Sequence, residues 1–208
     1  LGDVYKRQVE YKYDGVRVIA IVKNGKATLY SRNGKIFNNF PHIESSLSKK
    51  QFNNLVFDGE VMSDDFQALM KQVYRKSGAE TDDAFLALFD MLPLKEFNAG
   101  KSKLNSLDRR NELNNLSKDF DNVIKLVNFE VINFDDDEGQ NQFAVMNKEA
   151  LEKGFEGLMI KPCDNFYECK RSHAWLKIKP FIEVTLKIIN IQEGTGKHEG
   201  KLGAFQVE

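Results

Sequence analysis

The chain contains little cysteine, with only two residues of this type among 208. Cys163 and Cys169 are separated by six positions and have no histidine at ligand spacing, whereas a structural zinc site needs four ligands in recognisable pairs. The sequence therefore argues against a zinc site and against a disulfide scaffold. Reduced thiols in a cytoplasmic protein are the expectation.

Long apolar runs and a strong net charge are also absent. No run approaches the roughly 18 residues of a transmembrane helix, and no secretory signal is visible, so we expect no membrane partner. The net charge of −1 conceals a local asymmetry, because acids gather at 135–138 and bases gather between Lys161 and Lys179. A local positive potential of this kind attracts phosphates.

The length permits one large domain with a small appendage. Both ends look cut, because the chain begins at Leu1 rather than methionine and residues 203–208 read as a strand without a closing turn. Residues 1–8 have no clear strand or helix period, and we interpret them as a doubtful segment that could be a non-native scar. We therefore expect a fragment of a longer protein.

Hairpin signals dominate the chain. Val16 to Val22 is rich in β-branched residues, and the Asn24-Gly25 pair that follows is typical of a tight turn before a return strand over 27–31. Other strands are predicted at 54–62, 84–90, 123–131, 156–161, 174–179 and 184–192, and helices from 41, from 65, at 106–116 and at 138–153. Because strands outnumber helices and most are joined by turns, the pattern favours an α+β fold with antiparallel sheets.

The chemistry of the chain is concentrated first in Lys12-Tyr13-Asp14-Gly15-Val16-Arg17. A lysine amine can act as a nucleophile, but at its ordinary pKa of about 10.4 it is protonated at neutral pH. Desolvation or neighbouring cations must lower that pKa before the amine can attack. Arg17 is the first such cation, although these six residues alone fit an ordinary turn equally well.

Further polar residues lie at predicted strand ends. Lys177 and Lys179 are two apart on one strand and share a face, where an anion such as phosphate would offset their repulsion. Asp58 and Glu60 likewise share a face, and carboxylates beside a phosphate site often hold Mg²⁺. Singly, each has an ordinary interpretation, such as lysines protecting an edge strand. Their order along the chain is what carries information.

In that order, six stretches resemble the motifs of the covalent nucleotidyltransferase superfamily, which contains DNA ligases, RNA ligases and mRNA capping enzymes. The similarity is greatest to ATP-dependent DNA ligases of the small phage and viral type. The stretches are Lys12 to Arg17, Ser31 to Gly34, Phe57 to Glu60, Leu88 to Asp90, Glu156 to Lys161 and Trp175 to Pro180. The glycine-rich segment from Gly194 to Phe205 resembles the opening of a ligase OB domain.

The resemblance implies a role for each matching residue. Lys12 would attack the α-phosphorus of ATP and hold AMP through a phosphoamide bond. Glu10 would lie at the adenine edge, and Phe89 would stack on the base. The remaining assignments are Arg17 and Arg32 to the ribose and the 5′-phosphate of the DNA nick, Glu60 to the ribose hydroxyl or the metal, Glu156 to the metal, and Lys161, Lys177 and Lys179 to the α-phosphate.

The resemblance also implies an organisation and partners. Residues 9–181 would form the adenylation domain and 182–208 the beginning of a truncated OB fold. The cofactors would be ATP and Mg²⁺, and the partner would be nicked double-stranded DNA, bound by a monomer in the cytoplasm of a bacterial or phage-infected cell. Because the OB domain is cut short, we expect slow self-adenylation and poor nick sealing.

Two other interpretations remain open from the sequence. An RNA ligase or a capping-type guanylyltransferase shares the lysine nucleophile and much of the later pattern, although Arg17 and the glycine-rich segment favour a DNA ligase. A non-catalytic nucleic-acid clamp would keep the fold and lose the chemistry. A NAD-dependent ligase fits less well, because its zinc cysteines have no counterpart.

Overall fold

The computed structural model describes residues 5–73, 83–180 and 183–208. Residues 1–4 of the doubtful segment, and the predicted domain boundary between 181 and 182, lie outside the described residues. The strands β1 to β14 are Lys6–Lys12, Val16–Lys23, Lys26–Ser31, Ile36–Phe37, Leu55–Met62, Phe85–Pro93, Lys101–Asn105, Ile124–Leu126, Phe129–Asn133, Gly157–Pro162, Phe166–Glu168, Leu176–Ile178, Ile188–Glu193 and Leu202–Val207. The helices α1 to α5 are Pro41–Leu47, Phe66–Val73, Leu94–Asn98, Ser106–Leu116 and Asp137–Glu152.

Two antiparallel sheets organise the described chain. The large sheet has six strands in the order β4-β3-β2-β5-β6-β8, and the small sheet has four in the order β12-β10-β1-β9. Only β6 and β8 pair in parallel within these two sheets. Two further two-stranded antiparallel sheets are formed by β7 with β11 and by β13 with β14. The prediction of an α+β fold with antiparallel sheets is confirmed.

Local signals predicted several elements well. The turn between β2 and β3 has Asn24 at φ 54° and Gly25 at φ 73°, the pair of positive angles that a two-residue hairpin turn requires. Helix α4 has the predicted bounds, and the Asn105 side chain caps it by accepting from the Asp108 N–H at 2.9 Å. Helix α5 ends next to Gly154, whose φ of +78° suits the residue after a helix.

Each sheet packs one face against a helix. The large sheet packs against α1 through a cluster that includes Val18, Leu29 and Phe57, all fully buried. The small sheet packs Val9 and Leu158 against α5. Because side chains alternate along a strand, the neighbouring residues of β1 and β10 point to the opposite face of the small sheet. That face meets the large sheet across a cleft, which is where the charged residues gather.

The predicted single strand over 123–131 is wrong. The segment forms two short strands in different sheets, with β8 paired to β6 and β9 paired to β1. Val127 marks the break, where its N–H donates to the carbonyl of Leu88 at 2.9 Å. The alternation of apolar residues continues across this break because both halves are extended, so the pattern could not separate them.

The start of the chain also differs from the prediction. Lys6 to Gln8 belong to β1, although no strand period was expected there: all three pair with β9, and Arg7 and Gln8 also pair with β10. Gln8 is buried, and the polar character of these residues hid the strand. By contrast, β13 and β14 form an antiparallel hairpin whose residues are all exposed. Within the described ranges, no helix is long and apolar enough to cross a membrane.

Replacing Phe57 with alanine tests the main core. Phe57 lies on β5, between β2 and β6, and its side chain is fully buried in the core, so Phe57→Ala should lower the free energy of unfolding by about 3–5 kcal/mol through lost burial and a residual cavity. Val145 on α5 is 58% exposed, so Val145→Ala should change it by less than about 0.5 kcal/mol. Urea unfolding followed by circular dichroism measures both. Equal losses in the two variants would contradict the packing described here.

Candidate active site

A cluster of two lysines and one glutamate lies at the end of β1, and we call it the lysine–glutamate cluster. The amines of Lys12 and Lys179 both contact the carboxylate of Glu156, one at each oxygen. The backbone brings them together, because the Glu156 N–H donates to the Lys12 carbonyl at 3.0 Å. Gly157 permits this approach: its φ is +138°, and a β-carbon there would lie 2.0 Å from the Ile178 carbonyl oxygen.

Arg17 is held by a buried carboxylate. Its Nε and one terminal nitrogen donate to the two oxygens of Asp58 at 3.0 and 2.6 Å, and Asp58 is fully buried. Burial alone would lower the pKa of Arg17, but the contact with Asp58 outweighs it and raises the pKa above its ordinary value. The guanidinium therefore stays charged and lies 5.7 Å from the centroid of the Trp175 ring.

Glu60 lies next to this pair on β5. Burial, and then the negative charge of Asp58, raises the pKa of Glu60 to about 7, although the positive charge of Arg17 acts in the opposite direction. The carboxyl group is therefore partly protonated at neutral pH. In that form it can donate as well as accept a hydrogen bond, which suits a ribose hydroxyl.

A second buried ion pair lies deeper in the cleft. The Lys161 amine is 2.7 Å from a carboxylate oxygen of Glu10, and both side chains are 2% exposed. The same amine lies 4.6 Å from the ring centroid of Phe89 and 4.2 Å from that of Trp175. These aromatic faces stabilise the charge. Lys161 and Phe89 thus bring the small and large sheets into contact across the cleft.

The structure brings most of the predicted residues into this cleft but leaves two outside these contacts. Lys177 is exposed on β12, while Lys179 reaches the lysine–glutamate cluster. Arg32 lies in the exposed turn after β3 and forms no hydrogen bond or ion pair with any residue that the structure describes. Phe89 lies against Lys161 and Trp175, so its expected stacking on a base remains a prediction.

Metal ligands are sparse. Within residues 5–73, 83–180 and 183–208, no group of three or more histidine, cysteine, aspartate or glutamate side chains is placed to hold a metal ion. Glu60 and Glu156 are the carboxylates that the resemblance assigns to a metal. Glu60 lies beside Asp58 and Arg17, whereas Glu156 contacts Lys12 and Lys179. Cys163 and Cys169 are both described by the structure, and they form no disulfide with each other.

Comparison with known proteins shows the family to which the chain belongs. Residues 4–179 match a family model described as the ATP dependent DNA ligase domain. The chain belongs to this ATP-dependent DNA ligase family. The resemblance in the ordered motifs is thereby confirmed at the level of the family.

Individual relatives of this ligase family cover the chain almost completely. The DNA ligase of Halobacterium salinarum is 28% identical over an alignment of 221 positions that covers 99% of this chain and 38% of that protein. A solved structure named Pmar-Lig_PreS3 is 45% identical with a TM-score of 0.88, over 98% of this chain and 49% of that one. The ATP-dependent DNA ligase from bacteriophage T7, solved in complex with ATP, shares the fold at 21% identity and a TM-score of 0.66, over 98% of this chain and 71% of that one. The chain therefore spans about 38% of the Halobacterium ligase.

Several residues of the ligase cleft were missed from the sequence. Tyr167 donates a hydrogen bond to Asp58 at 2.7 Å, and Trp175 contacts both Arg17 and Lys161. Arg110 of α4 is buried, and burial lowers its pKa. Trp175 opens the last of the six motif stretches, but the resemblance implies no role for it. A tyrosine on a short strand such as β11 carries no local signal of its partner, so Tyr167 could not have been found.

Titration of Glu60 provides a test of the cleft electrostatics. Because the pKa is raised from 4.5 to about 7 on folding, the unfolded chain releases its proton first as the pH rises. This group should therefore lower the free energy of unfolding progressively between pH 4.5 and about 7, after which its contribution becomes constant.

NMR titration of the Glu60 carboxyl carbon should give a midpoint near 7, and urea unfolding of Glu60→Gln should lack this part of the pH dependence. Glu152 is an exposed glutamate on α5, so Glu152→Gln is the matched control and should keep the parental pH dependence. A Glu60 midpoint near 4.5 would contradict the burial and the Asp58 interaction described above.

Proposed function

We propose that the chain supplies the adenylation activity of an ATP-dependent DNA ligase, with Lys12 as the nucleophile. The observation that carries this proposal is the position of Lys12. Its side chain is only 15% exposed, lies in the cleft between the sheets and contacts a carboxylate shared with Lys179. Membership of the ligase family supports the assignment.

The lysine–glutamate cluster accounts for the first chemical step. The Lys12 amine must lose a proton before it can attack, and the Glu156 carboxylate in contact with it is placed to accept that proton. The nitrogen then forms a bond to the α-phosphorus of ATP while the bond from phosphorus to the pyrophosphate oxygen breaks. Lys179 and Lys161 supply positive charge to the phosphate oxygens as negative charge develops there.

The remaining cleft residues would hold the nucleoside. Glu10 and Phe89 would contact the adenine, and Glu60 would hydrogen-bond the ribose through its partly protonated carboxyl group. Arg17 and Arg32 would contact the ribose and the 5′-phosphate of DNA. Arg32 reaches the site only if the exposed turn that carries it approaches the substrate. Lys177, exposed on the same face as Lys179, would contact phosphate in the same way.

Magnesium fits the donors that are present. Mg²⁺ usually keeps several waters and takes one or two carboxylates together with substrate phosphates, so a cage of three protein ligands is not needed. We assign Glu156 to it, and Glu60 either to it or to the ribose hydroxyl. Burial, and then the negative charge of Asp58, raises the pKa of Glu60 to about 7, and a bound cation would favour the ionised form of this carboxyl group. When bound, the ion would neutralise charge on the phosphates.

The later steps require DNA. AMP would pass from Lys12 to the 5′-phosphate of a nick, and the 3′-hydroxyl would then attack that phosphate and release AMP. We propose nicked double-stranded DNA as the partner and residues 182–208 as the first strands of an OB domain. The hairpin formed by β13 and β14 is consistent with that assignment, since its apolar side chains Ile191 and Phe205 are 63% and 51% exposed.

Two tests separate the alternative functions. A capping-type enzyme would be labelled by GTP instead of ATP, and an RNA ligase would prefer a nick in RNA. A non-catalytic clamp would incorporate no nucleotide at all. The family match favours the DNA ligase over each of these.

Covalent labelling of Lys12 is the direct test of the proposed function. After incubation with ATP and Mg²⁺, mass spectrometry of the chain should show a gain of one AMP that pyrophosphate reverses. Lys12→Ala should abolish this gain, because the nucleophile is lost. Lys148 is exposed on α5, so Lys148→Ala is the matched control and should be labelled like the parent. Labelling that survives Lys12→Ala would refute the assignment.

Nick sealing by the 208-residue chain should be weak. The described part of residues 182–208 contains only two strands of the proposed OB domain, so little surface is available to close around DNA. A gel assay with a nicked duplex should show self-adenylation without efficient joining. Robust joining by this chain would contradict the proposal that the second domain is required.

A further inference from the structure

Tyr167 is buried on β11, outside every residue assigned to the reaction above. Its hydroxyl donates to Oδ2 of Asp58 at 2.7 Å, and its exposure is only 5%. The same Oδ2 accepts from Arg17 at 2.6 Å. Tyr167 and Arg17 therefore converge on one oxygen of one carboxylate from opposite parts of the chain.

Asp58 and Arg17 differ in how far they are buried. Asp58 is fully buried, whereas the Arg17 side chain is 39% exposed to the cleft. A long arginine side chain has many rotamers, and its position depends on how firmly its partner is held. The hydrogen bond from Tyr167 limits rotation of the Asp58 carboxylate and thereby fixes the plane in which Arg17 can bind it.

The ring of Tyr167 is itself held in place by a contact with Arg109. The guanidinium of Arg109 lies 5.5 Å from the centroid of that ring. Arg109 is in turn held by Asp90 through two hydrogen bonds of 2.8 Å. Burial, and then the neighbouring Asp58 charge, raises the pKa of Tyr167, so its hydroxyl remains protonated and donates to Asp58.

We propose that Tyr167 is a positioning residue that acts through Asp58 to hold the guanidinium of Arg17 in the cleft beside Trp175. Its effect on catalysis rests on the proposed function, in which Arg17 contacts the ribose and the 5′-phosphate. Its effect on the position of Arg17 does not, and can be measured without ATP. This separates a failure of the inference from a failure of the proposed function.

Tyr167→Phe removes the hydroxyl and keeps the ring, and the first measurement needs no substrate. The Arg17 Nε–H donates to Asp58 at 3.0 Å, so its exchange with solvent, followed by NMR, reports on this contact. In Tyr167→Phe we expect exchange to accelerate about ten-fold or more, the range of one hydrogen bond to a charged group. The Arg109 Nε–H, which donates to Asp90 at 2.8 Å, should keep its parental rate.

The second measurement is self-adenylation at saturating ATP and Mg²⁺. The rate of self-adenylation in Tyr167→Phe should be about ten-fold lower than in the parent. The double variant Arg17→Ala with Tyr167→Phe should be no slower than Arg17→Ala alone, because Tyr167 acts through Arg17. The control is Tyr11→Phe, which removes a hydroxyl that donates to Glu149 at 3.2 Å, beside α5 and away from the cleft. It should match the parent.

Three results would overturn the inference. One is an unchanged Arg17 exchange rate in Tyr167→Phe. Another is equal acceleration at Arg17 and Arg109, which would indicate a general loosening of the fold. The third is an additive loss of adenylation in the double variant Arg17→Ala with Tyr167→Phe. If the parent chain incorporates no AMP, the proposed function fails, and the exchange rates alone decide the role of Tyr167.

Discussion

Charge compensation within the cleft is the constraint on which the rest of the structure depends. Asp58, Asp90 and Glu10 are all buried, and each faces a cation on another element of the chain. Ionised groups away from water are tolerated only when they are paired and hydrogen-bonded, and removal of one partner leaves a costly charge behind. The pairs therefore hold β2 to β5 within the large sheet, β1 to β10 within the small sheet, and α4 to β6.

The alternation of side chains along the strands places the charged groups of the cleft where they can react. Alternation along β1 puts Val9 into the core beside α5 while Glu10 and Lys12 face the cleft, so one strand supplies both packing and reactive groups. The carboxylate of Glu156, just before β10, then holds two amines at the strand end. Lys12 is the last residue of β1, while Glu156 and Lys179 directly adjoin β10 and β12, so regular strands hold the backbone on which the site is built.

Local signals predicted the local parts of the fold. The Asn24-Gly25 turn and helix α4 follow from the conformational preferences of a few neighbouring residues, and the ordered motifs located most cleft residues. Contacts between distant segments could not be predicted in this way. The division of 123–131 between two sheets depends on pairing partners far away in the sequence, and the bond from Tyr167 to Asp58 joins residues 109 positions apart.

The break between β8 and β9 has a mechanical consequence. Only residues 127 and 128 separate a strand of the large sheet from a strand of the small one. A substrate that increased the distance between the two sheets would therefore have to stretch or rotate this two-residue connection. The Val127 N–H donates a hydrogen bond to the carbonyl of Leu88, which is the residue before Phe89 on β6. A displacement of the connection would therefore act on β6 at this position. The short connection and this hydrogen bond thus tie the start of β9 in the small sheet to the backbone of the large sheet next to Phe89.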